Sequence, residues 1–476
     1  MASSTVPRVD DGPGWRTRRS LARMAPRQLA AGAAQATAAR PLALGSLFGG
    51  IRYPRAAFAF SVALIFTLAI RAHELVPASG AIHPTIVLSV LSLLLLFPGA
   101  SAESLKQAMG DVSFKLTLCY VGWAAAMVPF SLWPGSSVSM LTSFVPPLLV
   151  MMLAILLLKP DEHNLDRLGL AFVVIAMIEI GGLRVLGYQT WDGRLMGYGT
   201  FDSNDHASIA ALAFPFAAAL VVRGRGWRRL LGMAGGALFI AAMGWFNSRG
   251  GTLAMGTGIL TLILLQPGSR RLKLLVFAAI AGTAFWLTAP PQYRAKIEGL
   301  TNLEDDYNLT DYYGRKAVWA RARGYIIQNP VTGVGISAFP VAEGASLTDA
   351  GSHGKWSTTH NAYLQAFAEL GVPGGTVFVL LLLTGLRRAL LIARPPGGKA
   401  NIMRGRPEYL ASLVAFCSGA YFLSHAYFFV VFCLLAMIAF ATRVAAIGNP
   451  AVATSRGAFL GPALAIVSRT RAHRAP

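Results

Sequence analysis

Twelve apolar runs follow one another along the chain, separated by polar segments. With their flanking residues, they approach the roughly 20 mostly apolar residues that a helix needs to cross a bilayer. The pattern therefore predicts an all-α membrane protein with about 12 transmembrane helices. The runs cover residues 56–70, 82–97, 114–133, 140–158, 168–182, 207–222, 230–246, 252–265, 272–288, 373–386, 409–423 and 426–441.

Composition supports this interpretation. The 476 residues are 54% hydrophobic and only 13% charged, with a mean hydropathy of +0.53, whereas soluble domains carry about 25% charged residues. No internal repeat of the kind found in inverted-repeat transporters is evident. Cys119, Cys417 and Cys433 fall inside the apolar runs, which favours packing roles over disulfides or metal ligation.

The formal net charge is +21, and the distribution of the basic residues along the chain indicates the membrane topology. When the runs are assigned alternately to the two sides, the basic clusters fall on one side, as is typical of the cytoplasmic face. Both termini are then cytoplasmic, and the excess charge does not indicate a nucleic-acid partner. The clusters are the N-terminal arm, residues 223–229, 270–273 and 387–406, and Arg443 with the tail.

These assignments divide the chain into five parts. Residues 1–55 form a basic arm, 56–289 contain the first nine transmembrane helices, and 290–359 form a large outer loop. Residues 360–442 contain the last three helices, and 443–476 form a basic cytoplasmic tail. The arm has the composition of a disordered segment. An organellar transit peptide and a start codon assigned too early are the other interpretations.

Arg249 lies between two apolar runs on the outer side, where it breaks the charge pattern. An arginine costs about 2.5–3.5 kcal/mol at the centre of a membrane helix and less at its boundary. Two interpretations remain open. The side chain either reaches outer head groups or helix-end carbonyls, or it is a fixed guanidinium that binds the phosphate of a lipid carrier bidentately.

The large outer loop contains a predicted helix. Residues 308–311 can cap it, and Asn329-Pro330 can end it. Within it, Arg315, Trp319 and Arg323 are spaced i, i+4, i+8 and share one stripe. This stripe could bind a pyrophosphate and stack a sugar ring. Alternatively, the helix lies on the membrane with its tryptophan as an interfacial anchor.

His360-Asn361 is followed after nine residues by Gly371-x-x-Gly374. Residues 362–370 can form a short helix that the Gly/Pro cluster turns into the next apolar span. The imidazole is then placed at the outer membrane boundary, where the head group of a lipid-anchored substrate lies. A polar cap or an interfacial residue is the alternative for His360.

Three further observations bear on the chemistry of the protein. Asn361, Gln365 and Glu369 form a polar ridge beside His360 on an otherwise apolar segment, which favours a functional site. Residues 202–206 could be a metal loop, but Asp, Ser and Asn there suit a helix N-cap better. The chain also lacks a Walker-type loop, so no ATP-driven mechanism is indicated.

These motifs resemble those of the bacterial O-antigen ligase family, which also contains O-antigen and exopolysaccharide polymerases and protein O-oligosaccharyltransferases. The resemblance covers roughly residues 180–385. It rests on His360-Asn361 with Gly371-x-x-Gly374, Ser248-Arg249-Gly250, Gly314-Arg315-x3-Trp319 and Asn329-Pro330-x2-Gly333-x-Gly335.

The resemblance implies about twelve spans, cytoplasmic termini and a catalytic periplasmic loop. It implies transfer of a glycan from undecaprenyl diphosphate to an acceptor hydroxyl, without metal or nucleotide. His360 would be the general base, and Arg249 and Arg315 would bind the departing diphosphate. Arg184 has a looser motif context and is assigned to the same diphosphate site.

Three further residues, Trp319, Arg323 and Asn361, are assigned to substrate binding, while Gly371 and Gly374 form the structural part of the motif. Guanidinium groups can stabilise a departing diphosphate, and an imidazole with a pKa near 6.5 suits deprotonation of a hydroxyl. A single base predicts inversion at the anomeric carbon.

The expected function is O-antigen ligation to lipid A–core in the bacterial inner membrane. A polymerase, which would use a lipid-linked glycan as the acceptor, shares all these residues. The protein O-glycosylating branch fits less well. An anion transporter, for example for bicarbonate, is an alternative of another class, with Glu179 as its main ionisable group near a span.

Overall fold

The computed structural model describes residues 53–70, 84–96, 100–197, 201–266, 268–298, 311–349, 356–393 and 405–448. The predicted basic arm (residues 1–55) lies almost wholly outside this part of the chain, and so does most of the tail after Arg443.

Helices account for nearly all of the described structure. They are α1 Tyr53–Ile70, α2 Pro84–Leu96, α3 Ala102–Met109, α4 Val112–Ala126, α5 Pro134–Leu157, α6 Glu162–Leu186, α7 Ser203–Arg223, α8 Trp227–Phe246, α9 Arg249–Leu264, α10 Gly268–Thr288, α11 Pro291–Glu298, α12 Arg315–Gln328, α13 Phe339–Asp349, α14 Ala362–Ala393, α15 Pro407–Gly419 and α16 Phe429–Gly448. A 3₁₀ turn spans Val128–Phe130, and β1 (Tyr188–Gln189) pairs antiparallel with β2 (Leu195–Met196).

Each of the twelve apolar runs corresponds to one of these helices, and the chain is an all-α membrane protein. By length and composition, seven of the described helices can cross a membrane: α5, α6, α7, α8, α10, α14 and α16. The prediction of twelve spans goes further than this finding and stays a prediction.

The core of the bundle surrounds α16, which is buried along most of its length and packs against α5, α6, α14 and α15. A second set of close contacts joins α7 to α8, α9 and α15. By contrast, α10 contacts α9 and has no buried residue in its span. Its apolar side chains therefore face the surroundings, as lipid-facing side chains do.

Ion pairs hold the helices together at one end of the bundle. Arg223, at the end of α7, forms an ion pair with Glu408 at the start of α15. Arg388 in α14 contacts Asp111, the N-cap of α4, at 2.8 Å. Arg223 and Arg388, which the sequence assigned to the same side, therefore lie at the same end. The N-termini of α7 and α14 lie at the opposite end.

The cluster at residues 202–206 starts α7 as an N-cap. The Asp202 carboxylate accepts hydrogen bonds from the backbone N–H groups of Asn204 at 2.6 Å and Asp205 at 3.0 Å. In return, the Asp205 carboxylate accepts a hydrogen bond from the Asp202 N–H at 2.9 Å, which completes a capping box. The N-cap interpretation is confirmed.

Helix α14 has a sharp kink at Gly371, where φ is 67°. The residues before it form the predicted short helix, and those after it form the span, so the sequence prediction is confirmed. A side chain at this position would be strained, and its Cβ would lie 2.3 Å from the Val331 carbonyl oxygen. Only glycine fits this contact.

The turn formed by residues 332–335 supplies hydrogen bonds that the kink removes from α14. Val334 and Gly335 donate their N–H groups to the carbonyls of Ala368 and Glu369 at 2.8 and 2.9 Å. A Cβ on Gly333 would meet the Glu369 carbonyl at 2.4 Å. Gly333 and Gly371 belong to separate motifs in the sequence, and in the structure each lies against the segment that contains the other.

Helix α12 starts later than predicted. It begins at Arg315 with Gly314 as its N-cap, because the Gly314 N–H closes a turn onto the Asp311 carbonyl at 2.7 Å. The predicted capping residues 308–310 lie outside the described residues. The helix ends at Gln328, before Asn329-Pro330, as predicted.

The apolar side of α12 is covered by protein. Val318 and Ala322 are buried together with Phe339 of α13 and Ala368 of α14. An ion pair between Arg321 and the fully buried Glu343 adds a polar anchor at 2.8 Å. The apolar face needed for a helix lying flat on the membrane is therefore already occupied.

Candidate functional site

His360 lies immediately before α14 in a left-handed backbone conformation, with φ of 47°. Its backbone N–H donates to the Ser424 hydroxyl at 2.8 Å, in the segment that joins α15 to α16. The neighbouring Thr359 hydroxyl lies 3.2 Å from the same oxygen. Histidine tolerates this conformation better than bulky or β-branched residues, and the contacts hold a half-buried imidazole at the helix start.

Asn361 is buried and caps α14. Its side-chain oxygen accepts the Leu364 N–H at 2.9 Å, and the Thr359 hydroxyl donates to its backbone carbonyl at 3.1 Å. Loss of such a cap costs about 0.5–2 kcal/mol. The geometry gives Asn361 a part in fixing the position of His360, in addition to the substrate contact predicted for it.

Trp319 connects α12 to the histidine segment. Its indole N–H donates to the Thr359 carbonyl at 2.9 Å, and its ring lies 5.3 Å from that of Tyr421 in an edge-on arrangement. Arg315 is one helical turn earlier on the same face, while Arg323, one turn later, is exposed. The predicted stripe therefore contacts the histidine segment through Trp319, its middle residue, while Arg323 faces solvent.

Arg249 and Arg315 have the same position in their helices, since each is the first residue of its helix. The α9 helix has Ser248 as its N-cap, with the hydroxyl accepting from Gly251 N–H at 3.1 Å. At α12, Gly314 provides no side-chain cap. Helix N-termini carry a partial positive charge, so each guanidinium adds to a site already favourable to anions.

Lys296 of α11 lies within electrostatic range of both arginines. Burial lowers the pKa of its amine, as do the positive charges of Arg194, Arg249 and Arg315, while Asp192 raises it. Together these effects bring the pKa of Lys296 to about 8. Arginines separated by 66 positions in sequence thus act on one amine.

The β1–β2 hairpin contributes an ion pair to this cation cluster, which we define as Arg194, Arg249, Lys296 and Arg315. Asp192 contacts Arg194 at 2.8 Å. Partial burial raises the pKa of the Asp192 carboxyl, but the Thr190 hydroxyl bond and the charges of Arg194 and Lys296 lower it by more. The cation cluster therefore contains four basic side chains, of which Arg194 is paired with Asp192.

The α7 N-terminus links the cation cluster to the segment beside His360. The Ser248 hydroxyl, next to Arg249, donates to the Asn204 side-chain oxygen at 2.8 Å. The following residue, Asp205, lies 2.7 Å from the buried imidazole of His425. His425 is adjacent to the serine that holds His360, so these contacts connect the start of α9 to the histidine segment through α7.

Arg184 is placed elsewhere. It is exposed near the end of α6, and its guanidinium lies over the Trp245 ring at 5.6 Å from the centroid. The guanidiniums that shift the pKa of Lys296 are those of Arg194, Arg249 and Arg315. A cation–π contact to α8 is therefore the observed environment of Arg184.

Sequence reasoning did not assign Lys296 or Arg194 to the site. One signal was present, because both are basic residues on the predicted outer side, the same anomaly that singled out Arg249. The pairing of Asp205 with His425 spans 220 positions. No local pattern could have shown that pairing.

Comparison with known families supports the motif interpretation. Residues 234–379 match the family described as O-antigen ligase, which confirms the resemblance over this part of the chain. The matched region contains Arg249, Lys296, Arg315 and His360, whereas Arg184, Asp205 and His425 lie outside it. No curated protein matches the chain.

Proposed function

We propose that the chain is a membrane glycosyltransferase that moves a glycan from undecaprenyl diphosphate to an acceptor hydroxyl on the periplasmic face. Ligation of O-antigen to lipid A–core is the reaction that fits best. The O-antigen ligase match and the multi-pass helical fold support a ligase acting on lipid-linked glycans. The proposal adds the identity of the donor, the identity of the acceptor and the side of the membrane on which the reaction takes place.

One observation carries the proposal. Arg249 and Arg315, each at a helix start, act together on Lys296, and Trp319 ties the Arg315 helix to the segment that holds His360. Helix α12 therefore links a cluster of positive charge to the segment that carries the His360 imidazole. A glycosyl diphosphate and a hydroxyl nucleophile require this combination.

In the proposed reaction, His360 removes the proton from the acceptor hydroxyl as its oxygen bonds to the anomeric carbon. The bond from that carbon to the diphosphate breaks, and its electron pair leaves with the diphosphate. The cation cluster stabilises the charge that develops on the leaving group without reorganising. We propose a metal-independent reaction because these four side chains supply the positive charge.

A single base opposite the leaving group implies displacement in one step, with inversion at the anomeric carbon. The anomeric configuration of the new linkage, determined by NMR against that of the lipid-linked donor, checks this step. Retention in the product would exclude the single-displacement mechanism.

The function is tested by complementation of a deletion strain, with surface polysaccharide resolved on a gel. His360→Ala and Arg315→Ala are expected to abolish long chains on lipid A–core while lipid-linked polymer accumulates. Lys316→Ala is the matched control. Lys316 is the exposed neighbour of Arg315, and its substitution removes a positive charge from another face of α12. The control should give the wild-type profile.

The same gel separates the alternatives. Accumulation of single repeat units in the two variants would identify a polymerase, which uses a lipid-linked glycan as the acceptor. Wild-type profiles from both His360→Ala and Arg315→Ala, with normal protein levels in the membrane, would remove the catalytic assignment.

A further inference from the structure

A cavity of about 250 Å³ adjoins the segment that holds His360. Thr358, Thr359 and Ser424 form one part of its wall. Thr359 is shared between the cavity and the helix of the cation cluster, since its carbonyl accepts from Trp319 while its hydroxyl lies beside Ser424. The cavity thus adjoins the same histidine segment that α12 contacts.

The polar lining of the cavity consists of groups that bind hydroxyls. Asp205 accepts from His425 Nε2 at 2.7 Å, and in a neutral imidazole the other nitrogen, Nδ1, is then a hydrogen-bond acceptor. The side-chain oxygen of Gln365 accepts the Ala426 N–H at 3.2 Å. Among the described residues its amide nitrogen has no acceptor, so its two N–H groups remain available.

Aromatic side chains complete the wall. Phe201, Phe339, Tyr427 and Phe428 line the cavity, and the Phe428 ring stacks on that of His425 with centroids 4.1 Å apart. Hydroxyl-binding groups next to apolar ring faces match the two surfaces of a pyranose, whose hydroxyls point outward and whose C–H groups form a face. The volume is below the roughly 300–1,000 Å³ of pockets for drug-sized ligands, so it suits a single ring.

We propose that this cavity binds the sugar ring of the acceptor glycan whose hydroxyl is glycosylated. Asp205, His425 and Gln365 hold other hydroxyls of that ring, and the aromatic residues contact its C–H face. This proposal rests on the proposed function for the identity of the reaction. His425 and Asp205 are binding residues in it, while proton removal stays with His360.

The test measures steady-state transfer in proteoliposomes. The donor is lipid-linked polymer from a strain deleted for this chain, and the acceptor probes are lipid A–core and lipid-linked repeat unit from the same strain. His425→Gln and Thr358→Trp are expected to raise the acceptor KM at least tenfold. The donor KM and kcat should stay within about threefold, because the cation cluster and His360 are unchanged.

Ser357→Trp is the matched control for Thr358→Trp, because it adds the same side chain at the preceding residue, which does not line the cavity. Unchanged acceptor KM in both cavity variants would overturn the proposal. So would a loss confined to kcat, which would instead make His425 part of the proton transfer.

A second measurement is independent of turnover. Thr358→Cys is treated with a maleimide, and modification at residue 358 is quantified by peptide mass spectrometry with and without each acceptor probe. Protection by either probe supports the acceptor cavity, and equal labelling in all samples overturns it. If the wild type transfers to neither probe, the proposed function is contradicted. The labelling result still tests whether the cavity binds an acceptor.

Discussion

At the residue scale, Lys296 distinguishes a diphosphate site from a set of arginines that only anchor helices. Burial, together with the nearby positive charges of Arg194, Arg249 and Arg315, lowers the pKa of Lys296 to about 8. Several positive charges acting on one amine favour the binding of an anionic ligand.

Removal of the amine in Lys296→Met should weaken donor binding by about 10- to 100-fold, since a hydrogen bond to a charged group contributes about 1.5–3 kcal/mol. The donor KM reports this loss. Arg294→Met is the control, because it lies two positions away on another face of α11. Similar donor KM values in the two variants and the wild type would exclude Lys296 from the site.

The depressed pKa of Lys296 also predicts a pH dependence. The amine is charged below about pH 8 and becomes neutral above it, so the donor KM of the wild type should rise as the pH is raised from 7 to 9. Lys296→Met should lack this rise. Its persistence in the variant would assign the titration to another group.

At the scale of elements, the kink of α14 and the turn at residues 332–335 form one joint. Gly371 (φ 67°) and Gly333 (φ 65°) each bring their backbone against the other segment. The joint fixes where α12 and α13 dock on α14, and therefore the position of Trp319 relative to Thr359. Backbone geometry at some distance from the imidazole thus controls the site.

Replacement of Gly371 by alanine should destabilise the protein by at least about 1–2 kcal/mol, the cost of a left-handed backbone for an L-residue, with further strain against Val331. The measurement is thermal unfolding in detergent. Gly324→Ala is the control, because Gly324 lies in α12 with no atom within 4 Å of an added Cβ. A Tm loss of the same size in both variants would contradict the role of the joint.

At the scale of the whole molecule, sequence patterns predicted what depends on local physics. The apolar runs predicted the helices, and the Asp/Ser/Asn cluster at residues 202–206 predicted a helix start. The Gly/Pro cluster after Leu370 predicted the kink in α14. The start of α12 was wrong by a few residues because a turn at Asp311–Gly314 precedes it. Lys296 and the Asp205–His425 pair depend on contacts between distant segments, which no local periodicity encodes.

The topology prediction also belongs to this scale. Arg223 and Arg388 lie at the end of the bundle opposite the cation cluster, and the positive-inside rule assigns the basic end to the cytoplasm. Trp191, which is 96% exposed in the hairpin turn, and Arg225, exposed between α7 and α8, report on the two ends. In a variant without Cys119, Cys417 and Cys433, a membrane-impermeant maleimide should label Trp191→Cys in intact spheroplasts.

Labelling of Arg225→Cys should require permeabilisation, because this residue would face the cytoplasm. The reverse pattern would place the cation cluster and His360 in the cytoplasm, away from periplasmic acceptors, and the proposed reaction would lose its substrates. Labelling of both positions without permeabilisation would mean that α7, which separates the two sites, does not cross the membrane. That result would contradict the inference, drawn from the length and apolar composition of α7, that this helix can span a membrane.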